Sequence, residues 1–216
     1  MSDLFHIPYR IQSERLVIRC YSPADAPLLK QSVDQSLEQL KIWMPWALHE
    51  PTDLAAKVQR LRLMRSQFDL DQDYTMGAFD LTESVLIGGT GLHKRAEVGS
   101  LEIGYWVHSA YQNQGYATEI TQALAQVAFE FHHVKRIEIR CDPDNLASAA
   151  VPRKLGFEHE ATLKQRDTTP TGQIRDTMIW TLFQTNYLQS PWQKLDLKVW
   201  DVCGNPLPRP VMPGPN

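Results

Sequence analysis

Cysteine is scarce in this sequence: Cys20, Cys141 and Cys203 are the only three among 216 residues. They are odd in number, far apart and nowhere in C-x-x-C spacing. That argues against a disulfide framework and a zinc cluster, and fits a reducing cytoplasm. Long apolar runs are lacking as well. No stretch approaches the roughly 20 residues that a spanning helix needs. Met1–Glu14 has no basic region followed by an apolar run, so no secretory leader is expected. Neither sign of charge is in excess, with 22 Lys plus Arg against 25 Asp plus Glu and a net charge of −3. So mildly acidic a chain implies no broad basic face for nucleic acid. The seven histidines show no H-E-x-x-H or other metal spacing, and no metal is expected.

The composition otherwise fits one large domain, with 43% hydrophobic and 22% charged residues. A chain of this length buries about 70% of its unfolded surface and needs no covalent staple. One irregularity is local: six of the 14 prolines lie between Pro191 and Pro215.

Arg15–Cys20 alternates and is rich in β-branched residues, which predicts a strand. Ser22-Pro23-Ala24-Asp25 supplies an N-cap, a proline at the first helical position and an acid three residues after the cap, predicting a helix to about Gln35. Lys41–Trp46 cannot be regular helix through Pro45. Thr52 is the candidate cap of a second amphipathic helix carrying Leu54, Val58, Leu61 and Phe68. Tyr74–Phe79, Val85–Leu92 and Ser100–Val107 read as a meander, its first turn at Asp80–Ser84. Ala117, Ile120, Leu124, Val127, Ala128 and Phe131 make one stripe of a long helix. His132-His133 falls at its end, where cationic side chains are stabilised. Arg136–Cys141 reads as a strand and Ala147–Leu155 as a helix stopped by Gly156. Phe157–Leu163 and Asp176–Phe183 read as closing strands.

The stretch that carries chemistry is Leu101-Glu-Ile-Gly-Tyr-Trp-Val-His108, followed by Gln112-Asn-Gln-Gly-Tyr-Ala117 and the long helix. Where a strand gives way to a helix, several backbone N–H groups lack helical partners and meet the positive end of the macrodipole. Such a junction suits a pyrophosphate, and the small residues Gly115 and Ala117 allow close approach. A Walker loop and a G-x-G-x-x-G fingerprint at the first βα turn are both absent. From spacing alone, a phosphate loop and a plain glycine turn before a helix stand as equal alternatives.

Four motifs in order, E-I-G-Y-W-V, Q-N-Q-G-Y-A, D-N-x-x-S and K-L-G-F, resemble the GNAT superfamily of acyl-CoA-dependent N-acetyltransferases. More narrowly, they resemble its RimJ/RimL-type branch, which includes ribosomal-protein N-terminal acetyltransferases. The similarity covers about residues 10–188. It implies an α+β, three-layer fold in which a mixed, mostly antiparallel sheet of about 6–7 strands is flanked by helices. It implies acetyl-CoA as co-substrate and an amine as acceptor, with no nucleic acid or membrane partner.

By the same resemblance, Gln112, Asn113, Gln114, Gly115, Tyr116, Ala117 and Thr118 wrap the pyrophosphate. Trp106, Val107 and His108 lie on a strand that usually bulges and splays from its neighbour, leaving a gap for pantetheine. The N–H near Val107 would polarise the thioester carbonyl. Glu102 is the expected general base, direct or through water, with a solvated strand residue as the alternative. Asn145 would contact the pantetheine arm and Ser148 the departing sulfur, although both also fit the start of a helix. The tyrosine that many members use as general acid is replaced by Pro152, which leaves Ser148 as the candidate. Trp43 and Trp46 border the expected acceptor groove, or else pack under a loop. Arg175-Asp176 reads as a surface pair, with the acceptor site as the alternative. Cys141 has no evident base partner, so direct transfer is expected rather than an acyl-enzyme.

The acceptor is expected to be a protein or peptide N-terminus. The alternatives are a small amine (polyamine, amino acid or antibiotic) and, in another class, an acyl-CoA-binding module without turnover. Residues 1–189 form the expected domain and 190–216 an extension. Ser190–Val202 carries Trp192, Leu195, Leu197, Val199 and Trp200, too apolar for a solvated linker. It should pack on the body, as an added strand, or on a second subunit, which would make a homodimer. Gly204–Asn216 reads as loosely ordered.

Overall fold

The computed structural model describes residues 7–95, 99–169 and 171–210. In chain order the strands and helices are β1 (Arg10–Gln12), β2 (Leu16–Cys20), α1 (Ala26–Trp43), α2 (Leu54–Asp69), β3 (Tyr74–Asp80), β4 (Leu86–Lys94), β5 (Ser100–Val107), α3 (Tyr116–Glu130), β6 (Arg136–Cys141), α4 (Leu146–Leu155), β7 (Glu158–Thr168), β8 (Ile174–Phe183), α5 (Gln184–Gln189) and β9 (Lys198–Trp200). All nine strands join one sheet in the order β7-β8-β6-β5-β4-β3-β2-β1-β9. Every pairing is antiparallel except β5 with β6. The expected mixed sheet is therefore present, with the short strands β1 and β9 added at one edge.

Successive strand residues point to opposite faces, and this sorts the core into two layers. Ala78 and Ile87 join the cluster built on α3, with Ile120, Leu124 and Val127. Their neighbours Phe79 and Leu86 join the cluster of α1 and α2, with Leu29, Val33, Leu40 and Leu61. The sheet is thus covered by helices on both faces.

Two helix boundaries differ from the sequence expectation. Ser22 and Asp25 do form the reciprocal box, with Ala24 N–H donating to Ser22 Oγ at 3.3 Å and Ser22 N–H to Asp25 Oδ2 at 2.7 Å. That box caps a 3-10 turn at Pro23–Asp25, after which α1 runs to Trp43 rather than Gln35. Nothing between Gln35 and Trp43 stops a helix, and Pro45 disfavours the helical backbone at Met44. The cap of α2 is Asp53, not Thr52: its carboxylate accepts from Ala56 N–H at 2.7 Å. Thr52 instead donates its hydroxyl, at 3.0 Å, and its N–H, at 2.8 Å, to the buried Glu50.

The extension belongs to the sheet of its own chain. β9 pairs antiparallel with β1, with Val199 opposite Ile11. The expectation that Gly204 onward is loosely ordered needs correction as far as Pro210; residues 211–216 lie outside the described residues. Leu207 N–H donates to Val199 O at 2.8 Å, and Arg209 grips Glu130, whose side chain is fully buried in α3.

Candidate active site

β5 and β6 start as parallel partners and then part. They are paired only over Ser100–Glu102 and Arg136–Glu138, although β5 continues to Val107 and β6 to Cys141. β5 itself carries no bulge against β4, whose register with it runs unbroken from Lys94 opposite Leu101 to Gly88 opposite Val107; the register shift nearby is between β3 and β4, at Ala78/Phe79. Strand alternation turns backbone groups of β5 into the gap. His108 N–H donates to Ile87 O at 2.8 Å. Antiparallel pairs alternate between hydrogen-bonded and non-bonded, so the backbones of Val107 and Tyr105 face away from β4 and into the gap.

Two cavities meet there. One, of about 310 Å³, runs along Val107 and Tyr111 to Gln112, Gly115 and Thr118. The other, of about 490 Å³, opens on the α1–α2 face beside Trp46, Arg60, His93 and Glu102. Trp43, Met44, Tyr105, Trp106, Asn145 and Ser148 line both. A ligand reaching from one to the other must cross this junction.

The loop at the far end of the first cavity is shaped for an anion. Gly115 is the N-cap of α3 with φ +84°, a left-handed conformation that costs other residues about 1–2 kcal/mol. No side chain caps the helix, so its first N–H groups remain available. The loop is pinned from outside. Arg15 donates to Gln114 O at 3.1 Å and to Glu119 Oε2 at 2.7 Å, and stacks over Tyr116. Gln39 donates to Gln112 at 2.7 Å, and Gln112 Nε2 donates to Val107 O at 3.3 Å. Asn113 also lies at this loop, with φ +59°.

His108 is placed differently from its neighbours. Its ring is buried and does not line either cavity. Nδ1 accepts from Ala110 N–H at 3.0 Å, which puts the proton on Nε2, 2.9 Å from Gln35 Oε1. Burial holds the ring below its ordinary pKa, consistent with this neutral form. His108 thus rivets the end of β5 to α1, and Gln114 likewise turns its side chain to Ala110 O at 3.0 Å.

At the junction, Asn145 caps α4 by accepting Ser148 N–H at 3.0 Å while lining both cavities. Tyr105 donates to Ser148 O at 3.1 Å, with the two hydroxyl oxygens 3.4 Å apart. A phenol from β5 therefore stands at the first turn of α4, a contact the sequence reading missed. Burial pushes the pKa of the nearby Cys141 thiol up, which disfavours a thiolate.

The second cavity has an aromatic wall and a charged end. Trp46 and Trp106 lie 6.2 Å apart, with Arg60 5.2 Å above Trp46. Glu102 lines the cavity but is clamped: Arg95 Nε is 2.8 Å from Oε2, Arg95 Nη2 3.0 Å from Oε1, and Arg140 3.5 Å from Oε2. Arg175 also lines it, paired with Asp167 at 2.9 Å and Asp142 at 3.6 Å, whereas Asp176 holds Lys164 on the outside. A second group was not foreseen. His93 Nδ1 lies 2.9 and 3.0 Å from the two oxygens of Asp73, which also accepts from Thr75 at 2.7 Å. No local motif marks this pair, because the two residues are brought together by the β3–β4 pairing.

This is the fold of an acyl-CoA N-acyltransferase: a sheet splayed between two central strands, a capless helix beyond the gap, and two cavities meeting between them. Residues 15–158 match the acetyltransferase (GNAT) domain family, and the chain belongs to it. It is 25% identical over 175 residues to the ribosomal protein uS5-alanine N-acetyltransferase of Escherichia coli, covering 80% of this chain and 90% of that protein. It is 35% identical over 83 residues, 38% of this chain, to the uncharacterized N-acetyltransferase YnaD of Bacillus subtilis, a match spanning 49% of that protein. Among solved structures, the RimL ribosomal L7/L12 alpha-N-protein acetyltransferase in complex with coenzyme A superposes with a TM-score of 0.73 at 22% identity, over 83% of this chain and 98% of that one.

Proposed function

We propose that the protein is an acetyl-CoA-dependent N-acetyltransferase that acts by direct transfer on a protein or peptide N-terminal amine, of the kind that begins a ribosomal protein, in a reducing cytoplasm. The observation that carries this reading is the junction at Tyr105, Trp106, Asn145 and Ser148, where the anion-shaped cavity meets the aromatic one. The names of the relatives at 25% identity or above support the acceptor class. The uncapped N–H groups behind Gly115 fit a pyrophosphate, and the strand edge that Tyr105 and Val107 turn into the gap fits an amide-bearing arm.

In this reading acetyl-CoA supplies an activated thioester carbonyl. Val107 N–H and its neighbours on the β5 edge stabilise the oxyanion that forms when the amine attacks. Ser148, backed by Tyr105, hydrogen-bonds the departing sulfur and passes it a proton. Asn145 orients the arm. Trp43 and Trp46 cover the acceptor, whose backbone lies against Trp106. Both Glu102 and His93 face this acceptor side.

The test is product formation by mass spectrometry and thiol release, with peptides beginning in serine or alanine, with spermidine and with an aminoglycoside. N-terminal acetylation of the peptides supports the reading. Turnover confined to spermidine or the aminoglycoside makes the protein a small-amine enzyme. Coenzyme A binding with no product from any amine makes it a binding module.

A further inference from the structure

The acceptor cavity holds two groups able to take a proton, and they differ in what already occupies them. The carboxylate of Glu102 has a guanidinium nitrogen of Arg95 on each oxygen and Arg140 beside it, so a substrate ammonium would compete with two fixed cations. His93 is arranged the opposite way. Its Nδ1 faces both oxygens of Asp73, which can only accept, so Nδ1 carries the proton and Nε2 the lone pair. Burial alone would raise the Asp73 pKa. The bonds from His93 and Thr75 outweigh it and hold the carboxyl below its usual range, which keeps it an acceptor. Among the described residues Nε2 has no hydrogen-bond partner, and the ring lines the cavity.

The floor beneath the ring locates Nε2. His93 lies across Gly91 of its own strand and Gly104 of β5. A methyl on Gly91 would stand 2.9 Å from Nε2, and a methyl on Gly104 3.1 Å. Gly104 is followed directly by Tyr105 and Trp106, which wall both cavities. Consecutive Cα atoms are about 3.8 Å apart, so Nε2 hangs roughly one residue from the junction. Glu102 lies two residues further back on the same strand face. The absence of a side chain at Gly104 leaves room for the imidazole itself to lie over β5, with Nε2 toward the cavity.

We infer that His93, oriented by Asp73, is the general base for the acceptor amine, and that Glu102 serves to hold Arg95 and Arg140 at the cavity end. This rests on the acetyltransferase reading and assigns the proton within it. The acceptor ammonium sheds two protons as the nitrogen–carbon bond forms and the carbon–sulfur bond breaks with its electron pair on sulfur. One passes to His93 Nε2 and on to solvent. The other ends on the thiol of coenzyme A, through Ser148. Asp73 is a positioning residue that sets the tautomer and balances the imidazolium. The other charged groups on the cavity are Arg95 beside His93 on β4, Glu102 opposite it on β5, Arg140 and Asp142 after the splay, Arg175 on β8, and Glu50, Lys57 and Arg60 across the opening.

The experiment measures kcat at saturating acetyl-CoA and saturating serine- or alanine-initiated peptide between about pH 6 and 9, where kcat reports groups of the ternary complex. His93→Gln should lower kcat about a hundredfold or more and remove the acid limb of the profile. Asp73→Asn should lower kcat about tenfold and move that limb to lower pH, because the imidazolium loses its counter-charge, a shift that a merely structural aspartate would not cause. Glu102→Gln should keep the limb. His93→Ala should regain turnover with added imidazole. Retention of both rate and limb in His93→Gln, or loss of the limb in Glu102→Gln, overturns the assignment. Should His93→Gln fail to fold or to bind coenzyme A by calorimetry, the limb in Asp73→Asn and Glu102→Gln decides. Absence of amide product from the unaltered protein with every amine fells the acetyltransferase reading itself, and this inference with it.

Discussion

At the scale of single residues, the site is made of side chains that each hold something else in place. Ser148 is both the third residue of a helix start and the hydroxyl that meets Tyr105. Because the phenol and the hydroxyl stand together, each backs the other. Ser148→Ala and Tyr105→Phe are expected to lower kcat about tenfold singly and well short of about a hundredfold together, with the KM for acetyl-CoA little changed. Steady-state kinetics of the double variant checks this. Cys141 gives the contrasting case. Its thiol is held protonated by burial, so Cys141→Ala should retain turnover, and loss of acetylation with coenzyme A binding intact would require a covalent intermediate. Gly115 is legible from sequence for a plain reason: a left-handed turn before a helix favours glycine. Gly115→Glu adds backbone strain and sets a carboxylate against phosphate. Calorimetry should show acetyl-CoA bound at least about tenfold more weakly, and an unchanged affinity would remove the loop from the binding site.

At the scale of elements, the sequence pattern located most helices and strands of the core, but it ended α1 eight residues early and gave no sign of β1 or α5, and it misassigned a residue where a side chain had a second partner. Thr52 carries the signature of a cap but is taken by Glu50, and Asp53 caps instead. The end of α3 is a sharper example. The pair His132-His133 sits where a helix dipole favours cations, yet the Nε2 of His132 is buried without a partner among the described residues, and burial pushes its pKa down to about 4. Desolvation against Tyr74 and the nearby Lys94 outweighs the dipole. The sign of the pH dependence follows. Unfolded histidine binds a proton below about pH 6.5. The native ring resists protonation down to about 4. Stability contributed by the neutral ring is full above the first value and is lost as pH falls through the interval, by a few kcal/mol at most. Urea denaturation across that window should show a slope that His132→Phe flattens.

At the scale of the whole molecule, the extension closes the sheet edge and shields a buried charge. Glu130 is fully buried and accepts from Tyr187 at 2.6 Å and from Arg209 Nε at 2.9 Å. Removing the guanidinium leaves a carboxylate without its counter-ion. Arg209→Ala should cost roughly 2–4 kcal/mol, at the lower end for a buried pair because the arginine is itself part-exposed. That corresponds to a fall in Tm of roughly 5–12 °C, and adding Glu130→Gln should restore part of it. The site lies at the splay between β5 and β6, with four strands between β5 and β9 in the sheet order, so coenzyme A binding should survive in the folded fraction. Thermal scans with and without coenzyme A separate the two effects.

What the sequence by itself determined was whatever depends on neighbours along the chain: the periodicity of strands and helices, the left-handed glycine, the strand-to-helix junction and the apolar character of the extension. Local sterics and hydrogen bonding settle these within a few residues. The tertiary structure alone decided which groups share a cavity. His93 and Asp73 are 20 residues apart and meet only because β3 pairs with β4. Tyr105 reaches Ser148 only because β5 and β6 part. Arg95, just past the end of β4, and Arg140, on β6, converge on Glu102. Proton transfer depends on distances of about 3 Å, and the pairing of strands distant in sequence is what sets them.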